Sequence, residues 1–346
     1  MVAGVGHARR RGVVTLAHVA DAAGVSLQTV SNVINAPDRV RPETRTRVED
    51  TITALGYRPN RHARSLRTRQ SRTLGYRVEQ PTPFSGAFLD RFLHVLVGAA
   101  RGHDYVVLVF DPPSADETGG YADLVRTGAV DAFALTDTHH GDRRPALLRR
   151  LRVPFVSFGR PWRELATADH PWVDVDGAAG TADAVRHLYA RGRRLIAFLG
   201  WPEDSDVGED RLRGWTQTCR ELGLTPGPAL RALDDPSLAA AICGELLDRA
   251  AGERPDAFVC ASDTLAAGVY RALIERSLIP GADVGVVGFD DAPTAGLLPI
   301  PLTTVNQPIE QVAAEMVRLL DSQLRGTESG DTAVLLTPTL TVRQSA

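Results

Sequence analysis

Two amide side chains one helical turn apart, Gln28 and Asn32, stand in a stretch that carries no acidic residue from Gly24 to Pro37. With Thr29, Ser31 and Asn35 they make a short polar face opposite Val30, Val33 and Ile34. Glutamine and asparagine can bond bidentately to the N6/N7 edge of adenine in a major groove, and a helix lying among phosphates must avoid carboxylates. Such a face is suited to reading bases. A second set of polar residues follows short apolar runs much further along: Asp111, Asp137, Gly159-Arg160, Trp201, Ser262-Asp263 and Asp290-Asp291. Carboxylates that accept paired hydrogen bonds, an arginine fork and an aromatic face together suit a polyhydroxylated ring.

Signatures of catalysis are missing from the sequence. There is no GxSxG, HExxH, phosphate-binding glycine loop or kinase-type motif. The chain contains no lysine, so it can form no Schiff base. His139-His140 lie in a polar stretch without a third ligand nearby, and Cys219, Cys243 and Cys260 form no CxxC pair. The cysteines read as buried, reduced thiols. Neither an enzyme nor a cofactor or metal is expected.

Charge separates the two sets of residues. The first 72 positions hold thirteen arginines against five acids, while the rest holds 26 arginines against 37 acids, within a net charge of -3. A basic head on an acidic body implies that only the head meets a polyanion. No apolar run reaches the length of a membrane span or a signal segment, so the expected location is the cytoplasm, with no membrane partner. Residues 1–12, basic and glycine-rich, are expected to be a flexible lead-in.

The head must place its polar face on a helix. Leu16, Val19, Ala20 and Ala23 recur at helical spacing after Thr15, a plausible N-cap, and Gly24 can stop the helix with a positive φ. Ser26 can cap a second helix that turns Val30, Val33 and Ile34 inward. A third helix opens at Pro42, closes before Gly56, and offers Val48, Ile52 and Leu55 to the same core. Residues 13–58 therefore read as a helix-turn-helix. The arginine-rich stretch 59–72 reads as a hinge that is too polar to hold a helix alone. Within it Ala63 and Leu66 can share one face, with the leucine as a minor-groove wedge.

From Thr73 short apolar runs alternate with helical stretches. The runs are Tyr105–Phe110, Ala132–Leu135, Pro154–Phe158, Leu195–Gly200, Ala257–Ala261 and Val284–Phe289. Segments such as Phe88–Ala100, Ala178–Ala190 and Asp263–Arg276 lie between them. This alternation predicts a parallel-sheet α/β domain over 73–346.

The run from Val14 to Ser26, then Thr29-Val30-Ser31, Val33-Ile34-Asn35, Thr44-Arg45, Val48, Leu55-Gly56-Tyr57, Pro59-Asn60, Ala63 and Leu66, closely resembles the head of the lac repressor/gal repressor family. Arg211-Leu212-Arg213-Gly214, Val287-Gly288-Phe289-Asp290-Asp291 and Leu302-Thr303-Thr304-Val305 resemble three elements of that family's larger domain, the last a crossover back to the first lobe. The resemblance implies a recognition helix at 27–35 and a hinge helix from Asn60 to Arg67. It also implies two Rossmann-like lobes, as in periplasmic sugar-binding proteins, crossing near 171, 303 and 330. Lobe 1 would then hold about 73–171 and 304–329, and lobe 2 about 172–303 and 330–346.

The residues expected at DNA are Thr15, Ser26, Leu27, Gln28, Thr29, Ser31, Asn32 and Asn35, with Asn60, Arg61, Ala63 and Leu66 in the hinge. Those expected at an effector are Arg211, Asp290, Asp137, Arg160, Ser262, Asp263 and Trp201. Departures accompany the match. Arg41 replaces a capping Ser or Thr, and Asn32 replaces a common arginine, which changes the bases read. Gly159 and Ser262 also differ from the family pattern and leave the effector open. The implied function is a homodimeric repressor on a palindromic, double-stranded operator, released by a small molecule, with a sugar expected. The rivals are activation instead of repression, a purine or other metabolite as effector, a sugar-binding module that uses its basic head for something else, and an α/β enzyme. Absence of leucine heptads in the C-terminal part favours a dimer over a coiled-coil tetramer.

Overall fold

The computed structural model describes residues 14–58, 70–78, 87–111, 118–162, 170–250, 252–327 and 330–346. The chain forms two compact units, residues 1–71 and 72–346.

In the first unit, helices α1 (Leu16–Ala23), α2 (Leu27–Asn35) and α3 (Pro42–Leu55) pack on one small core. Local chemistry sets each boundary. The Thr15 hydroxyl accepts from the His18 amide, and the Thr15 amide donates to His18 Nδ1 at 3.2 Å, a reciprocal cap. Gly24 at φ 64° ends α1, and Ser26 Oγ accepts from the Thr29 amide at 3.1 Å to start α2. Arg41 precedes α3 without any side-chain cap, as its type implies.

Val19, Ala20, Ala23, Val30, Val33 and Val48 are buried together. Leu55, expected in this core, is 38% exposed; Tyr57 is buried in its place. The cause is the end of α3. Gly56 turns left-handed at φ 62°, its amide donates to Thr53 O, and the Tyr57 amide donates back to Ile52 O at 3.0 Å. This double closure sets the residue after the glycine against the helix's last turn.

The second unit holds two six-stranded sheets. In lobe 1, β1 (Thr73–Arg77), β2 (Val106–Phe110), β3 (Ala132–Leu135), β4 (Phe155–Phe158) and β5 (Trp172–Val175) alternate with α4 (Ala87–Gly102), α5 (Tyr121–Arg126) and α6 (Arg144–Leu151). In lobe 2, β6 (Ile196–Gly200), β7 (Ala229–Arg231), β8 (Ala257–Cys260), β9 (Gly285–Phe289) and β10 (Thr303–Asn306) alternate with α7 (Gly177–Ala190), α8 (Asp206–Glu221), α9 (Pro236–Leu247) and α10 (Asp263–Glu275). The chain then returns through α11 (Ile309–Arg325) and β11 (Ala333–Leu336) to lobe 1, and ends on β12 (Thr339–Thr341) in lobe 2.

Strand order is β11-β5-β4-β3-β1-β2 in the first sheet and β12-β10-β9-β8-β6-β7 in the second. Every pairing is parallel except β10 with β12. Helices cover both faces, which is what parallel strands buried on two sides require. Met316 and Leu320 of α11 pack with Leu74, Phe92 and Val173 on one face of the first sheet. Tyr121, Phe133 and Leu148 pack on the other.

The crossings lie later than the sequence places them. Trp172–Val175 pairs with β4 and β11, so the first crossing follows Val175 instead of residue 171. Thr303–Asn306 pairs with β9, so the second follows Asn306 instead of 303. Ala333–Leu336 pairs with β5, so the third follows Leu336 instead of 330. Four-residue strands carry no local mark of the sheet they join; only pairing partners distant in sequence decide it.

Candidate base-reading face and candidate effector cleft

On the head, α2 presents Leu27, 54% exposed, and Gln28 and Asn35, both exposed, with Thr29, Ser31 and Asn32 half-buried beside them. The hydroxyls of Thr15 and Ser26 are engaged as caps, so these two residues position the helices. Gln28 Nε2 donates to Asn32 Oδ1 at 3.0 Å, and Asn35 Nδ2 donates to Ser31 O at 2.6 Å. The first bond joins the two amides and leaves Gln28 Oε1 and Asn32 Nδ2, an acceptor and a donor, outside it. Asn60, Arg61, Ala63 and Leu66 lie outside the described residues.

In the second unit, the ends of the parallel strands surround a cavity of about 310 Å³. Ligands of such sheets bind outside the carboxyl ends of the strands. Three of these ends turn through positive φ: Asp137 after β3 at 54°, Gly159 after β4 at 112°, and Asp290 after β9 at 112°. For an aspartate such backbone is costly and needs support. Asp290 has it, since its amide donates to Val305 O at 2.8 Å and Gln307 Nε2 donates to its carboxyl at 2.7 Å. Asp137 has it too. The buried Arg144, paired with Asp142 at 2.8 Å, donates through Nη2 to Thr136 O and Asp137 O at 2.9 Å each.

Four of the seven residues expected at an effector line the cavity, Asp137, Trp201, Arg211 and Asp290, and Gly159 lines it with them. Arg211 is buried, with its guanidinium 3.6 Å from the Phe289 ring centroid, 5.0 Å from that of Trp201, and 4.0 Å from Asp290 Oδ1. Its Nη1 donates to Ala261 O, and its Nε has no partner among the described residues. Burial works against the Arg211 charge, and Asp290 works for it. Burial pushes the Asp290 carboxyl up to about 8, with Arg211 drawing it back. The glycine of Arg211-Leu212-Arg213-Gly214 has a steric reason, because a Cβ on Gly214 would stand 2.1 Å from Ala178 O. That contact lets α8 lie against α7 and brings Arg211 to the cavity.

Three expected contacts are not among the lining residues. Arg160 bridges Asp174 and Asp210 from outside the cavity. Ser262 caps α10 through the Leu265 amide and donates to Asp234 Oδ1 at 2.5 Å. Asp263 accepts from Thr304 Oγ1 at 2.5 Å and from the Ala292 amide at 2.7 Å, and burial pushes it up to about 7. It ties the start of α10 to the turn after β9.

Sequence reasoning missed Asp174, Asp210, Asp234 and Gln307, together with the aromatic walls Phe88, Phe158 and Trp162. Asp210 sits beside Arg211 in sequence, which was the available signal. Asp234 holds Trp201 Nε1 at 3.1 Å, and both of its bonds to described residues use Oδ1. Among the described residues no cluster of three His, Cys, Asp or Glu could hold a metal ion, and no helix is long and apolar enough to cross a membrane. The three cysteines are free and buried, and burial raises the Cys219 thiol to about 11 and the Cys243 thiol to about 12.

Comparison with known proteins agrees with both units. Residues 15–60 match the family model for bacterial regulatory proteins of the lacI family, and residues 185–346 match the periplasmic binding protein-like domain. The chain is 34% identical over 340 residues to the HTH-type transcriptional regulator CelR of Thermobifida fusca, covering 96% of this chain and 98% of the relative. It is 29% identical over 338 residues to the HTH-type transcriptional repressor CytR of Escherichia coli (strain K12), covering 96% of each.

Among solved structures, the lac repressor dimer bound to operator and the anti-inducer ONPF matches with a TM-score of 0.78 at 26% identity, over 96% of this chain and 98% of the other. A transcriptional regulator CelR–cellobiose complex matches with a TM-score of 0.70 at 30% identity, over 96% and 99%. The chain therefore belongs to the lacI family of bacterial transcriptional regulators, DNA-binding proteins and not enzymes, and carries a periplasmic-binding-protein-like domain after its helix-turn-helix head.

Proposed function

We propose that this regulator is a cytoplasmic repressor that binds a palindromic operator as a homodimer and is released when a neutral sugar fills the cavity. The lining of the cavity carries the sugar reading. Five carboxylates, Asp137, Asp174, Asp210, Asp234 and Asp290, face it together with Phe88, Phe158, Trp162 and Trp201. Arg160 and Arg211 already occupy Asp174, Asp210 and Asp290, which leaves Asp137 in lobe 1 and Asp234 in lobe 2 as acceptors. An anionic ligand would meet uncompensated negative charge there. A ligand rich in hydroxyl donors, with apolar ring faces for the aromatics, matches it. The complex of a similar regulator with cellobiose makes a glucose disaccharide the first candidate.

On DNA, α2 would lie in the major groove with Gln28 and Asn32 on base edges and Leu27, Thr29, Ser31 and Asn35 around them. Asn60 to Arg67 would form the hinge, with Leu66 wedged into a central base step. Sugar and operator would oppose each other through a coupling of about 1–3 kcal/mol, equal in both directions. The test is selection of bound sequences from random DNA, followed by release of the selected duplex by a panel containing cellobiose, monosaccharides and purine nucleosides. A palindromic selection released by a sugar supports the reading. Release by a purine alone would replace the sugar, and a selection without sequence preference would remove the repressor.

A further inference from the structure

Arg160 stands at the end of β4, only 12% exposed, and reaches in two directions. Its Nε donates to Asp174 Oδ2 at 2.5 Å, on β5 of its own lobe. Its Nη2 donates to Asp210 Oδ2 at 3.3 Å, on α8 of the other lobe, and to Val175 O at 3.3 Å beside the first crossing. The flat face of the guanidinium lies 4.7 Å from the centroid of the Trp162 ring. Asp174, Asp210 and Trp162 all line the cavity, whereas Arg160 does not.

We propose that Arg160 is a positioning residue that latches the two lobes of the second unit, holding Asp174 on one side of the cleft and Asp210 on the other. A single side chain thus sets the spacing of two opposed cavity carboxylates and the pitch of one aromatic wall. Among the contacts of the described residues two more cross between the lobes, from the His140 amide to Asp206 Oδ2 at 2.8 Å and from Arg91 Nη1 to Asp291 O at 3.2 Å. Neither joins charged side chains from both sides of the cavity.

The physics favours a latch over a passive ion pair. The side chains of Asp174 and Asp210 are 9% and 2% exposed, so water screens the three groups little. Removing the cation leaves Asp174 desolvated without a charged partner and Asp210 held only from its own lobe, by Arg213, and separating the lobes is the direct way to rehydrate Asp174. The planar fork matters as well as the charge. One guanidinium can serve three acceptors in fixed directions while stacking on an indole, and an ammonium cannot.

The test is hydrogen–deuterium exchange on the full ligand-free protein, comparing Arg160→Gln and Arg160→Lys with the parent. The amides of His140 and Ala178 donate to Asp206 and Asp210, so they report the cross-lobe contact and the crossing. In Arg160→Gln both segments should exchange at least about fivefold faster while β6, in the core of lobe 2, is unchanged; Arg160→Lys should lie between. The double variant Arg160→Gln/Asp174→Asn removes the stranded charge and should exchange more slowly than Arg160→Gln alone. Unchanged exchange at both segments in Arg160→Gln, or an equal rise throughout both lobes, would overturn the latch.

A second arm rests on the sugar reading and uses cellobiose as the probe. If the parent binds cellobiose, Arg160→Gln should weaken that binding by about tenfold through lost preorganisation. Equal affinities would count against the latch. The exchange arm needs no ligand, so failure of cellobiose to bind the parent bears on the sugar alone.

Discussion

The guanidinium of Arg211 lies 3.6 Å from the Phe289 ring centroid and 4.0 Å from the Asp290 carboxyl, two successive residues at the end of β9. One side chain from α8 thus reads both the apolar and the polar part of a single strand end. A desolvated cation over an aromatic face is worth about 2 kcal/mol, and removing it strands whatever acceptor it served.

Arg211→Ala is expected to abolish the effector response while the operator affinity of the ligand-free protein stays within about threefold of the parent. Titration calorimetry with the effector and gel shifts on the selected operator measure the two separately. A variant that still responds at the parent's effector concentration would move the binding site elsewhere.

Asp290 and Asp263 make stability depend on pH. Their carboxyls are raised to about 8 and about 7 from an ordinary 3.8. Between pH 4 and those values the folded chain binds more protons than the unfolded one, so stability falls as pH rises, by up to about 1.4 kcal/mol per pH unit for each group. Thermal melts should therefore decline from pH 5 to pH 8. Asp290→Asn should flatten the part between 7 and 8 and about halve the slope below 7, leaving there the share of Asp263. An equal slope in parent and variant would remove Asp290 from this account.

The paired amides on α2 predict a change in preference more than a loss of binding. Gln28→Ala or Asn32→Ala should each relax one position per half-site at a cost of about 1–3 kcal/mol on the preferred sequence. Binding to random DNA should change little, because phosphate contacts set it. Repeating the selection with the double variant checks this, and an unchanged preferred sequence would mean that another element reads the bases.

Tyr57 closes a head core that holds seven buried residues among those described. Tyr57→Ala should cost about 3–5 kcal/mol, enough to unfold a domain of this size at ordinary temperature. Leu55→Ala, on the exposed side, should cost under about 1 kcal/mol. Circular dichroism melts of the head in the two variants give the comparison, and similar costs would contradict the closure of α3 described here.

What the sequence by itself determined is the part built from neighbours. Thr15 and Ser26 capping three residues ahead, Gly24 and Gly56 turning left-handed, and Val30 and Val33 sharing one helical face are interactions within one or two turns, and each is legible as a spacing. Arg211 and Asp290 were legible because each belongs to a local motif with steric or backbone reasons of its own, the close helix contact at Gly214 and the positive φ after β9. Only the tertiary structure decided which sheet Trp172–Val175, Thr303–Asn306 and Ala333–Leu336 would join, because parallel pairing is chosen among partners tens to hundreds of residues away. That choice moved all three crossings. It also brought Asp174, Asp210 and Asp234 into one cavity and left Arg160 behind its wall, tied to two of them. A carboxylate's place in a cleft between two sheets depends on pairings of this kind, which leave no periodic trace beside it in the chain.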